Sequence, residues 1–192
     1  MHDGLTEDTK RHAAATPAPR HRSTSPSSSR MFASYLHSIE QLLDARRWEA
    51  ALRDARDLPR IAVALADPHL RGSSDSVRTW CQEWIRPPGA ERDAQGMHYE
   101  RLAQQISDRV APLADAESVP MRALRRLQLA RNLRSRPQSL SRRGVIPDLP
   151  PREAEALESC TVLLDAARRW YARRAVHDRT TQTNLARLAV FR

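Results

Sequence analysis

Apolar side chains recur every three or four residues along most of the chain from Phe32, a period that admits helices and little else. Phe32, Tyr35, Leu36, Ile39, Leu42 and Leu43 share one face, with Glu40, Asp44, Arg46 and Arg47 opposite. Trp48, Ala51, Leu52, Ala55 and Leu58 continue the pattern, and Val77, Trp80, Cys81, Trp84 and Ile85 repeat it. Only 5 glycines and 5% aromatic residues leave little for sheets to be built from. The expected fold class is all-α: an antiparallel helical bundle or stacked helical hairpins of about seven helices.

Breakers divide the pattern. Asp57-Leu58-Pro59 reads as a stop and restart, because proline fits a first turn and not a helix interior. Ile61, Ala62, Leu65 and Ala66 give a short helix that Asp67-Pro68 ends. The run Gly72–Ser76 is an N-cap signal, and Pro87-Pro88-Gly89 a terminator. Tyr99, Leu102, Ala103, Ile106, Val110 and Leu113 mark a longer helix, and a further one is expected over 119–134. Leu157, Cys160, Leu164, Ala167 and Tyr171 mark a helix from Arg152 to about His177. Leu185, Leu188, Ala189 and Phe191 mark the last.

Residues 1–30 hold Ser, Thr, Pro, Ala and His with no apolar period, so a disordered tail is expected there. Residues 31–192 then form one helical domain, with sub-units 31–135 and 150–192 joined by a Pro/Arg-rich loop, 136–151, as the alternative division. The first helix pair resembles a tetratricopeptide hairpin: Trp48 is followed by Ala-Leu and a later Ala on the second helix. Trp80 and Trp84 recur at nearly the right distance, but the surrounding pattern does not, so no repeat array is assigned.

The chain carries a formal charge of +9, from 32 basic and 23 acidic residues. All but one of the basic residues are Arg, a bias typical of a GC-rich bacterial genome. The charge is uneven: residues 1–30 are net +2, 31–116 net −2 and 117–192 net +9. Between Ser118 and Pro147 lie eight Arg and no Asp or Glu. The residues expected to bind a partner are Arg122, Arg125, Arg126, Arg131, Arg134, Arg142 and Arg143, with Arg168, Arg169, Arg173 and Arg174 from a second cluster around Trp170 and Tyr171. Arginine forks grip carboxylates and phosphates in bidentate fashion. The bland alternative is a solvated basic face balancing acidic residues of the first two helices.

An acidic protein is the expected partner. Nucleic acid held by 118–143 and 168–174 is the alternative, although 118–147 lacks the aromatics that stack bases. A membrane surface ranks below both, because the helical part of the basic region has no bulky apolar anchors.

Chemistry-bearing motifs are sparse. His2, His12, His21, His37, His69, His98 and His177 form no zinc spacing. Phosphate-cradling glycine loops and a nucleophile elbow are missing. Cys81 and Cys160 read as buried thiols rather than a disulfide or metal pair. No membrane span or secretory leader is evident, so the cytoplasm is expected. The expected function is a non-enzymatic interaction subunit (an adaptor, chaperone-like protein or assembly factor) without a cofactor or catalytic residues.

Overall fold

Helix starts and stops fall where the sequence supplies caps and breakers. The computed structural model describes residues 26–90, 94–114, 124–126 and 149–190, and every regular element among them is helical. Helix α1 spans Pro26–Asp44, α2 Trp48–Ala55, α3 Leu58–Ala66 and α4 Ser74–Trp84. Helix α5 spans Ala94–Val110, α6 Pro151–Trp170 and α7 Arg179–Val190.

Helix α1 begins inside the segment expected to be disordered. The expectation for residues 1–25 lies outside the described residues, but Pro26 opens the helix. Its missing N–H is one that a first turn leaves unbonded anyway. At the other end, the Arg46 N–H donates to the Leu43 carbonyl at 3.0 Å and the Arg47 N–H to the Leu42 carbonyl at 2.8 Å. This pair of bonds closes a helix through a left-handed residue, usually glycine. Here that residue is Arg46, at φ 56°.

Pro59 sits in the first turn of α3, and the Ser73 hydroxyl caps α4 by accepting from the Ser76 N–H at 3.1 Å. Gly89 takes the positive φ of 84° that the Pro87-Pro88-Gly89 turn requires. A 3₁₀ turn, Ala111–Leu113, follows α5, and Pro112 in it turns Leu113 out of the expected stripe to 48% exposure. The helix expected to run on to His177 is α-helical only to Trp170; Tyr171–Ala175 is a π turn, in which the Val176 N–H bonds to the Tyr171 carbonyl at 3.2 Å. Of the helix expected at 119–134, only Leu124–Arg126 are described, and they are helical. The loop at 136–151 lies outside the described residues up to 148, and Pro151 already belongs to α6.

Helix α3 is the centre. It packs on α4, α6 and α7, while α2 lies on α6, α5 on α4, and α1 on α2 and α7. All residues from Leu58 to Leu65 are buried, Arg60 included. A helix apolar all round belongs inside a core rather than on its surface. One buried cluster links α1 through α7, and Leu124 is 1% exposed within it. Phe32 closes one end, stacked on Tyr171 with ring centroids 5.0 Å apart and edge-on to Trp170 at 5.5 Å.

Candidate functional site

Six of the eleven arginines singled out by their clustering fall among the described residues, and four of these pair with groups of the fold. Arg126 reaches from its short helical stretch to the α2–α3 junction. Its guanidinium meets the Asp57 carboxylate at 2.6 Å and Asp54 at 3.4 Å. Asp57 is also paired with Arg60, and both side chains are buried. Burial pushes the Asp57 carboxyl up, and the two guanidiniums offset only part of that. Arg126 loses some charge stability to burial, but Asp57 and Asp54 outweigh this and raise its pKa.

Arg168 pairs with Glu40 of α1 and, at 3.1 Å, with Asp165 of its own helix. Arg169 donates to the main-chain carbonyls of Trp84 at 2.5 Å and Ile85 at 3.4 Å, which closes the end of α4. Arg174 reaches Glu83 at 3.3 Å. Arg125 and Arg173 are exposed and make no ion pair with another described residue. Arg122, Arg131, Arg134, Arg142 and Arg143 lie outside the described residues.

The arginine surplus of the described residues gathers elsewhere. A groove of about 1010 Å³ opens between the α1–α2 turn, α2, Arg109 near the end of α5 and the start of α6. Arg46, Arg47, Arg53, Arg56, Arg109 and Arg152 line it, against Glu49, Glu153 and Glu155, an excess of three positive charges. Two of the glutamates are engaged: Glu49 with Arg152 at 2.9 Å, and Glu155 with Arg109 at 3.5 Å. Arg46 and Arg47 are exposed and make no ion pair among the described residues. Among the described residues Arg53 pairs with its sequence neighbour Asp54 alone, at 3.6 Å, and Arg126 already draws on that carboxylate. Burial lowers the Arg56 pKa, and repulsion from Arg109 lowers it further. Half-buried Leu52, with the edges of the buried Trp48 and Ala156, adds a small apolar patch to the groove. Sequence reading missed this site because residues 31–116 are net negative as a whole. The adjacent pair Arg46-Arg47 with Arg53 and Arg56 was its only signal.

A second, smaller groove of about 410 Å³ lies over α3, α4 and the end of α6. Trp80, Trp84 and Trp170 line it beneath Asp67, Asp75, Glu83, Arg71 and Arg174. Trp84 is the half-buried member of the first three tryptophans, and Trp48 and Trp80 are core residues as expected. The Trp80 and Trp84 indole N–H groups have no acceptor among the described residues.

Chemistry elsewhere is quiet. Cys81 and Cys160 are buried thiols outside any disulfide. Burial pushes the Cys81 thiol up to about 12, so it stays protonated at neutral pH and is a poor nucleophile. No cluster of His, Cys, Asp and Glu fit for a metal occurs among the described residues. None of their helices is long and apolar enough to cross a membrane. No family model, curated protein or solved structure matches the chain.

Proposed function

We propose that this chain is a non-enzymatic helical interaction subunit that docks an acidic protein partner through an arginine-rich surface. The observation that carries the reading is a contrast in how the arginines are used. Arg126, Arg168, Arg169 and Arg174 find partners within the fold, whereas in the groove Arg46, Arg47 and Arg56 make no ion pair among the described residues and Arg53 shares Asp54 with Arg126. Guanidiniums without a carboxylate in place hold their charge against water, and an acidic surface brings the missing counter-charge.

The test is fluorescence anisotropy of the full chain with labelled poly-glutamate and, separately, labelled random-sequence duplex DNA. Poly-glutamate binding that weakens as salt rises from about 50 to 200 mM supports the reading, because exposed charge contacts are screened over that range. DNA binding that is tighter than poly-glutamate binding, with a steep salt slope, replaces it with a nucleic-acid function. Binding of neither removes it.

A further inference from the structure

We infer that the groove between the α1–α2 turn and the start of α6 seats an acidic peptide segment carrying an apolar anchor residue. In this arrangement Arg46, Arg47, Arg53 and Arg56 take the carboxylates, and the anchor lies on Leu52 and the exposed edges of Trp48 and Ala156. The inference rests on the acidic-partner reading above and adds the place and the chemistry of the partner.

Three independent observations point to this occupant. The first is charge. The glutamates Glu49 and Glu155 are matched by Arg152 and Arg109, so the uncompensated guanidiniums concentrate on the α1–α2 wall. The second is the mixed lining. A nucleic-acid backbone presents uniform negative charge and would meet Glu153 and Glu155 along the other wall and Glu49 within the arginine wall itself. A peptide can set carboxylates against the arginine wall and apolar or basic side chains against the rest. The volume of about 1010 Å³ lies at the upper end of the range for small-molecule pockets, which suits several residues of chain better than a lone anion.

The third observation is Arg46 itself. It closes α1 in the left-handed conformation, at φ 56°, where glycine is the usual residue. Every L side chain is strained there. Leu70 takes the same conformation, at φ 57°, and lines neither groove, whereas Arg46 lines this one.

The experiment compares three labelled probes on the full chain by anisotropy: a synthetic peptide of repeating Glu-Ala-Glu-Leu, poly-glutamate of equal length, and random-sequence duplex DNA. The expected order is Glu-Ala-Glu-Leu tightest and DNA weakest. The triple substitution Arg47→Gln, Arg53→Gln and Arg56→Gln should weaken the first probe about tenfold or more, through loss of several charge contacts. Arg46→Gly, which relieves backbone strain and keeps the turn, should weaken it a few fold while raising the melting temperature. The pair Arg125→Gln and Arg173→Gln should leave it unchanged.

Acidic probes that still bind the triple variant, but are lost on replacing Arg125 and Arg173, overturn the groove and leave the acidic-partner reading standing. Equal binding of the two peptides removes the apolar anchor, and with it the occupant stated here. DNA as the tightest probe, displaced by the triple substitution, keeps the groove as an anion site and overturns the peptide. No binding of any probe defeats both proposals.

Discussion

Arg169 on α6 donates to the main-chain carbonyl of Trp84 at 2.5 Å, and so caps α4 from a position 85 residues further along the chain. The last carbonyls of a helix have no partner inside it, and a guanidinium there also meets the negative end of the helix dipole. Arg169 therefore holds two helices together. We expect Arg169→Gln to cost about 1–2 kcal/mol in denaturant unfolding and to leave acidic-peptide affinity per folded molecule unchanged. An affinity loss with stability intact would return Arg169 to the docking surface.

Asn184 makes the equivalent link at the other side of the core. Its side-chain amide donates to the Leu65 carbonyl at 3.0 Å and the Asp67 carbonyl at 2.7 Å, and the residue is 1% exposed. Asn184→Leu removes the donors and leaves both carbonyls in place, at a cost of about 2–3 kcal/mol. The urea midpoint should fall with an unchanged m-value. A midpoint that does not move would mean that water replaces the amide at no cost.

Arg46→Gly carries the opposite sign. Glycine adopts the left-handed conformation without the steric penalty an arginine meets, so the variant should be more stable by about 1 kcal/mol. Equal or lower stability would show that the turn at φ 56° is unstrained.

Asp57 sits between Arg60 and Arg126 at the α2–α3 junction, with its side chain 5% exposed. Removing the acid leaves Arg60 buried without its counter-charge. Asp57→Ala should therefore cost about 3–5 kcal/mol, as for other buried pairs broken from one side. Thermal or chemical unfolding reads it. A loss comparable to that of an exposed ion pair would mean that Arg60 escapes to solvent in the variant.

Asp178 supplies an acid-sensitive step. Burial alone would raise its carboxyl, but hydrogen bonds from the Thr181 hydroxyl and N–H, with Arg174 nearby, hold it below the usual carboxylate value. A depressed folded pKa means that its stabilisation is complete above about pH 4 and is lost as pH falls through the lower folded value. Asp165 works in the opposite direction, because burial raises it with Arg169 offsetting only part. Its contribution is full below the ordinary value and is lost as pH rises through the raised one. Asp178→Asn should flatten the acid limb of the stability curve, measured by urea unfolding across pH; an acid limb identical to that of the parent chain would place the sensitivity elsewhere.

Much of the fold was legible because helix signals are local. Phe32, Tyr35, Leu36, Ile39 and Leu43 are buried on one face as their spacing requires. Ser73 caps α4, Pro59 opens α3 and Pro87-Pro88-Gly89 ends the helix before it, all read from a few neighbouring residues. The failures were local conflicts that tertiary packing resolved. Pro26 starts a helix in a Ser-rich stretch whose composition resembles a tail, because the packed face of α1 lies just downstream. Tyr171–Ala175 widens to a π turn within a segment whose apolar pattern reads as uninterrupted α-helix.

The sequence by itself determined where most of the described helices lie, the caps and breakers that bound α3 and α4, the apolar face of each stripe and the buried state of both thiols, since each depends on residues within one or two turns of one another; α1, α5 and α7 start more than a turn upstream of their apolar stripes. Only the tertiary structure decided what the arginines do. Whether a guanidinium is spent inside the fold depends on which carboxylate or carbonyl arrives within a few ångströms of it. Arg126 meets Asp57 from 69 residues away, and Arg174 meets Glu83 from 91. Net charge along a segment carries no record of those meetings, so the arginine-dense C-terminal third supplied internal ties while the net-negative first half built the open basic groove.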